Sequence, residues 1–220
     1  MTIGILCAMT KEHDLLVGML DNPRTEHGVC FGYTVGNYGQ NTVILLKCGI
    51  GKVNAALGTS MLIQKYAPGY VISSGCAGAV SKDLHVMDVV IGSEVLYHDV
   101  DIPDCKPGQI QDMPARFPCD KNLGLTDHVN RGLIVSGDQF VSARCQYEEI
   151  MAKFPDAKAV DMESAAIAHT CYLLNTPFCA IRIISDTPLT GDSKVEYDNF
   201  WERMSVRSVD VISGIIKSLL

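Results

Sequence analysis

The sequence predicts an α/β domain of three layers, with a central twisted sheet, mixed and largely parallel, covered by helices on both faces. Three observations carry this expectation. Apolar, strand-like runs alternate with helix-periodic segments along all 220 residues. Several of those runs end in small or polar residues, the pattern of an open sheet whose strand ends face a ligand. The composition, 47% hydrophobic and 20% charged, is that of an ordinary globular protein. The length suits one domain spanning residues 1–220.

Taken in order, residues 2–8 read as a first strand and lack the basic region and cleavage site of a signal peptide. Thr10 is the expected cap of a helix containing Lys11, Glu12, Leu15, Leu16 and Leu20. Residues 30–36 alternate weakly, and 42–48 form a buried-strand run. Gly49-Ile50-Gly51-Lys52 then makes a tight turn into a helix over 53–66, with Ala56, Leu57, Met61, Leu62 and Ile63 at helical spacing. A short strand at 70–74 enters Gly75-Cys76-Ala77-Gly78, whose small side chains let backbone approach a ligand. Residues 87–96 have strand propensity. The stretch 100–130 is loop-rich, with Pro103, Pro107, Pro114 and Pro118, and a connection that long is a lid or an interface segment. A strand at 131–136, a helix at 143–154 and a short strand at 158–160 follow. A helix from Met162 to about Leu174 and a strand at 178–185 come next. After a polar loop at 187–195, a last helix sets Phe200, Met204, Val209, Ile212, Ile216 and Leu219 on one broad face.

Several function classes are excluded. A net charge of −7 without any basic run does not suit a protein that tracks nucleic-acid phosphates. No apolar stretch reaches the length of a membrane span. The nine cysteines are scattered, odd in number and free of C-x-x-C, which fits neither a zinc site nor a disulfide scaffold. They sit mostly in apolar runs, as free thiols in a reducing cytoplasm do. No cofactor and no metal are expected. Gly51-Lys52 is not a phosphate loop, since Leu46 and Val53 occupy the positions that need Gly and Ser or Thr.

The chemistry concentrates at Asp161-Met162-Glu163, which leads into an alanine-rich run. A helix start favours acids, but it has no need of acid, Met and acid in that order. A second signal is Ser185-Asp186, at the end of the 178–185 strand. Each residue also has a plain reading: Glu12 as a solvated helix acid, Asp186 as a turn cap, Phe140 as core.

Together, several motifs resemble the nucleoside phosphorylase/nucleosidase superfamily, and most of all its bacterial 5′-methylthioadenosine/S-adenosylhomocysteine nucleosidases. They are G-I-L-C-A-M-T-K-E at 4–12, G-I-G-K-V-N-A-A at 49–56, S-G-C-A-G at 74–78 and Y-H-D-V-D at 97–101. R-G-L-I-V-S-G-D-Q-F at 131–140, V-D-M-E-S-A-A-I-A-H at 160–169 and I-S-D at 184–186 complete the set. The resemblance implies a nucleoside phosphorylase-like fold. It also implies hydrolysis of an adenine nucleoside to adenine and a 5-substituted ribose, as in methionine salvage, by a homodimer. On that likeness Asp186 is the general acid at adenine N7 and Ser185 orients it. Glu12 activates water, Glu163 grips the ribose hydroxyls, and Met162 packs under the sugar. Phe140 stacks on adenine and the Val141 backbone reads its edge. Met9, Ile50 and Tyr197 line the 5′-alkylthio pocket, where a thioether suits Met. Cys76, Ala77 and Gly78 lie against the substrate. Cys76 stands at a usual Ser and Asp161 at a usual Glu, departures that bear on ribose and water positioning. His98 and His169 are read as structural.

The nearest rival is a phosphorylase of the same fold. Phosphate needs arginines, and Ser73 stands where those enzymes carry one; Glu12 would repel the anion. A non-catalytic nucleoside-binding module is a rival of another class, but it has no use for a water activator. A dinucleotide-binding domain fails because no G-x-G-x-x-G opens a helix.

Overall fold

The computed structural model describes residues 1–120, 129–187, 197, 200 and 204–218. Its strands are β1 (Thr2–Cys7), β2 (Asp21–His27), β3 (Gly32–Tyr38), β4 (Asn41–Lys47) and β5 (Tyr70–Ala79), then β6 (Val89–Tyr97), β7 (Phe117–Pro118), β8 (Asn130–Ser136), β9 (Ala157–Asp161) and β10 (Phe178–Asp186). Its helices are α1 (Thr10–Val17), α2 (Lys52–Tyr66), α3 (Arg144–Lys153), α4 (Ser164–Leu173) and α5 (Met204–Ser218).

The strands form one mixed sheet, and its topology explains where a site can open. β4, β1, β5 and β10 run parallel as one block, and β6, β8 and β9 as another. β10 meets β6, and β5 meets β9, antiparallel, so five strands close on one another. The expected sheet was largely parallel; among the described residues parallel and antiparallel pairings are equal, five of each. The difference comes from the β2–β3–β4 edge and from the closure. β5 and β9 touch only at their carboxyl ends, Gly78 against Val160 and Ala79 against Ala159. Several strand ends therefore converge.

Alternation along β1 and β4 feeds two apolar layers. Leu6, Ile44 and Leu46 join Ala55 and Leu62 of α2 and the alanine-rich face of α4. Ile3, Ile5, Val43 and Leu45 join Leu16 of α1 and Ile212, Ile215 and Ile216 of α5. α3 covers β8 and β9 through Tyr147, Ile150 and its C-cap residue Phe154. Within the face expected for the last helix, Phe200, Ile212 and Ile216 are buried. The Met204 side chain, Leu219 and all of the 187–195 loop after Thr187 lie outside the described residues.

Two local expectations are corrected. The strand expected at 70–74 runs on through Gly75–Gly78 to Ala79 as β5. β2 was not anticipated at all: Asp-Asn-Pro-Arg-Thr-Glu-His has no apolar alternation because it is an exposed edge. No described helix is long and apolar enough to cross a membrane.

Candidate active site

A cavity opens where the strand ends converge. Every residue that the resemblance assigns to the site lines it: Glu12, Glu163 and Asp186; Met9, Ile50 and Tyr197; Cys76, Ala77 and Gly78; Phe140 and Val141; Met162 and Ser185.

Glu12 owes its place to the start of α1. Met9, not Thr10, is the N-cap residue; Thr10 is already helical and its hydroxyl accepts a hydrogen bond from Lys47 Nζ at 3.1 Å. Glu12, in the first turn, folds back so that Oε2 accepts the amides of Ala8 and Met9, both at 3.0 Å. Oε1 accepts the Cys76 amide of β5 at 3.1 Å. The carboxyl is 3% exposed, and burial pushes its pKa up against those three amides. The Cys76 amide bond to Glu12 runs through main chain, so a thiol in place of a hydroxyl leaves that bond in place, and the thiol also faces the Glu12 carboxyl.

Glu163 is the N-cap residue of α4. Its Oε1 accepts the Gly51 amide at 2.8 Å. Gly51 has φ +94°, which only glycine adopts without strain. Burial, and then the nearby Asp161 charge, push the Glu163 pKa up to about 7.

Asp186 and Ser185 sit on an irregularity of β10. The register against β5 runs from Ile184–Ala77 to Asp186–Gly78, so Ser185 is the extra residue. Such a bulge re-aims side chains beside a site. Ser185 Oγ lies 2.6 Å from Asp186 Oδ1 and 3.2 Å from the Ala77 carbonyl oxygen. Both residues are buried.

Asp161 has a different job from its neighbours. It is buried and accepts Ser136 Oγ and Ser164 Oγ, each at 2.5 Å, and Arg182 Nε at 2.7 Å. Arg182 continues to the Ser73 carbonyl at 3.0 Å and the Ser73 hydroxyl at 2.8 Å. Sequence reading missed Arg182, although it lines the cavity and is 2% exposed. Its signal was a single cation inside the apolar run Ala180-Ile181-Arg182-Ile183.

The other end of the cavity is apolar. Tyr197 Oη donates to Met9 Sδ at 3.3 Å, and its ring stands edge-on to Phe140, with centroids 5.7 Å apart. Phe140 is 48% exposed, not core, and lines the cavity. Burial pushes the thiols of Cys7, Cys48 and Cys76 up, which makes them neutral walls and not nucleophiles.

His98 lines a separate cavity. His169 stacks on Phe117 at 4.8 Å and pairs with Tyr97 Oη at 3.2 Å. No group of three or more His, Cys, Asp or Glu among the described residues is arranged to hold a metal ion.

A sequence model described as the Phosphorylase superfamily matches residues 2–220. The chain belongs to that superfamily. Within it, the chain falls among the 5′-methylthioadenosine/S-adenosylhomocysteine nucleosidases. It is 41% identical to the one from Maridesulfovibrio salexigens and 39% identical to the one from Bacillus subtilis, over all of each chain. Among solved structures of this superfamily, the Neisseria meningitidis nucleosidase in complex with methylthio-immucillin-A aligns with a TM-score of 0.92 at 38% identity, over 99% of both chains. The Colwellia psychrerythraea nucleosidase, in complex with adenine, aligns with a TM-score of 0.92 at 32% identity, over 100% of this chain and 96% of that one.

Proposed function

We propose that this protein hydrolyses the N-glycosidic bond of 5′-methylthioadenosine and S-adenosylhomocysteine, releasing adenine and a 5-substituted ribose. One observation carries the choice of water over phosphate. Among the described residues, four carboxylates line the cavity (Glu12, Asp161, Glu163 and Asp186), and the one arginine there, Arg182, is committed to Asp161 and Ser73. A dianionic nucleophile has no place beside them. The relatives named above, called nucleosidases and solved with adenine or a nucleoside analogue, support the same reading.

Departure of adenine needs protonation, and the ribosyl centre becomes cationic in the transition state. Asp186, held by Ser185, delivers the proton to N7. Glu12 takes a proton from water; its raised pKa makes it the stronger base. Glu163 binds the ribose hydroxyls above Met162 and stabilises the cationic ring, so carboxyls serve both sides of the bond as in other glycosidases. Phe140 stacks on the base, with the Val141 backbone at its edge. Met9, Ile50 and Tyr197 receive the alkylthio group.

The whole chain reads as one catalytic unit, and its nine free cysteines fit a reducing cytoplasm. The place of this reaction would be methionine salvage. We also read the chain as a homodimer. Val53 and Leu57 lie one turn apart on α2, 78% and 45% exposed, next to Ile50 at the cavity rim, 53% exposed. A fully active species of monomer mass in sedimentation would sink that reading.

The deciding experiment is adenine release from methylthioadenosine with and without phosphate. Release without phosphate, together with free 5-methylthioribose, is expected. Release that requires phosphate and yields a sugar 1-phosphate would make the protein a phosphorylase.

A further inference from the structure

Lys52, Asp99 and Asp138 do not line the cavity, yet they join the elements that hold its two ends. The amides of Gly51 and Lys52 lie at the N-terminus of α2, where no helical carbonyl accepts them. The Gly51 amide goes to Glu163 Oε1 at 2.8 Å, and the Lys52 amide to Asp138 Oδ1 at 2.8 Å. The Lys52 ammonium donates to Asp99 Oδ2 at 2.7 Å, and the same oxygen accepts the Asp138 amide at 2.9 Å. The contacts close a triangle between the start of α2, the segment after β6 and the segment after β8. Phe140 follows Asp138 by two residues. The turn has no slack, because a Cβ on Gly51 would lie 3.0 Å from Asp138 Oδ1.

We propose that the Lys52–Asp99–Asp138 triangle is a positioning device, which fixes Glu163 at the sugar end and Phe140 at the base end to one spacing through the N-terminus of α2. The assignment of those two ends rests on the nucleosidase reading. Burial alone would raise Asp99, but the Lys52 ammonium and the Asp138 amide outweigh it and hold its pKa low, so Asp99 stays charged. His98 also faces Asp99. Glu163 is faced by Asp161, Arg182, Glu12 and Cys48, and the Gly51 amide is the neutral donor that favours its charged form. Loosening the start of α2 weakens that amide bond.

The test compares Asp138→Ala with Asp138→Asn, which keeps an oxygen for the Lys52 amide. The first readout is the ¹³C-carboxyl NMR titration of Glu163, which needs no substrate. Asp138→Ala should raise its midpoint, with Asp138→Asn between it and the parent. The second readout is the split of KM from kcat: Asp138→Ala should raise KM about tenfold or more while kcat changes less than about threefold. An unmoved Glu163 midpoint, a KM within twofold of the parent, or equal impairment by both substitutions would each overturn the proposal. Should Asp138→Ala fail to fold, Lys52→Met carries the same two measurements with the same expected directions. If the parent releases no adenine, the nucleosidase reading falls, and the titration alone decides the triangle.

Discussion

Asp186 is the residue on which the proposed chemistry turns. Its carboxyl is 2% exposed and held by Ser185 at 2.6 Å on a strand irregularity, so geometry and not chance conformation aims it. Asp186→Asn keeps the shape and loses the transferable proton. Turnover should fall roughly 10²–10⁴-fold, the usual worth of general acid catalysis, while calorimetry still detects adenine. Near-normal turnover would remove Asp186 from its role. Cys76 makes the opposite case. Its amide provides a 3.1 Å hydrogen bond to Glu12, and its thiol faces the same carboxyl. Cys76→Ser should hold kcat/KM within about threefold or raise it, because a hydroxyl is the better donor of the two. A collapse in kcat/KM would mean that the thiol's contact with Glu12 is one a hydroxyl cannot replace.

At the level of elements, one buried ion pair ties the sheet together beneath the cavity. Arg182 of β10 reaches Asp161 of β9 and Ser73 of β5, so three strands share a single guanidinium. Removing one partner strands the other charge, at a cost of about 3–5 kcal/mol. Arg182→Met should therefore lower unfolding stability by that order in urea titrations. The double substitution with Asp161→Asn should recover much of the loss; equal destabilisation by single and double variants would contradict this account. This tie is also where the sequence was hard to read. Helices and buried strands were legible because their apolar spacing follows from packing, as in β1, β4 and α2. The cavity wall was legible through motifs whose residues converge from distant strand ends. Arg182 was not, since its partners Asp161 and Ser73 are 21 and 109 positions away and nothing local announces them. β2 escaped because pairing with β3 along an exposed edge asks for no apolar pattern. The ring closure escaped because it depends on two short antiparallel contacts, one of them only two residues long.

For the molecule as a whole, pH sets stability from both sides. Burial depresses His98 and His169, and the paired Asp99 and Asp156 are held low. The unfolded chain takes up protons at these groups first, so stability falls as the solution becomes acidic. Glu163 works in the other direction. Its folded pKa, pushed up to about 7, lies above its ordinary value of 4.5. The folded state thus holds the proton that the unfolded state has already released. That contribution is complete below about pH 4.5 and is lost as pH rises through 7. Glu12, raised by burial, adds to the same loss. Glu163→Gln removes the charge that the fold holds at a cost. It should match the parent near pH 4 and exceed it at pH 8 by roughly 1–3 kcal/mol, since each pKa unit is worth about 1.4 kcal/mol. Its turnover should be strongly reduced, because the stability it gains comes from the desolvated carboxylate proposed to bind the sugar. Urea unfolding at the two pH values reads the difference, and equal stability of both proteins at pH 8 would show that Glu163 is not held out of its ordinary range. A carboxylate that destabilises its own fold at neutral pH is expected of a binding group and not of a scaffold, which ties the stability curve of the protein to its site.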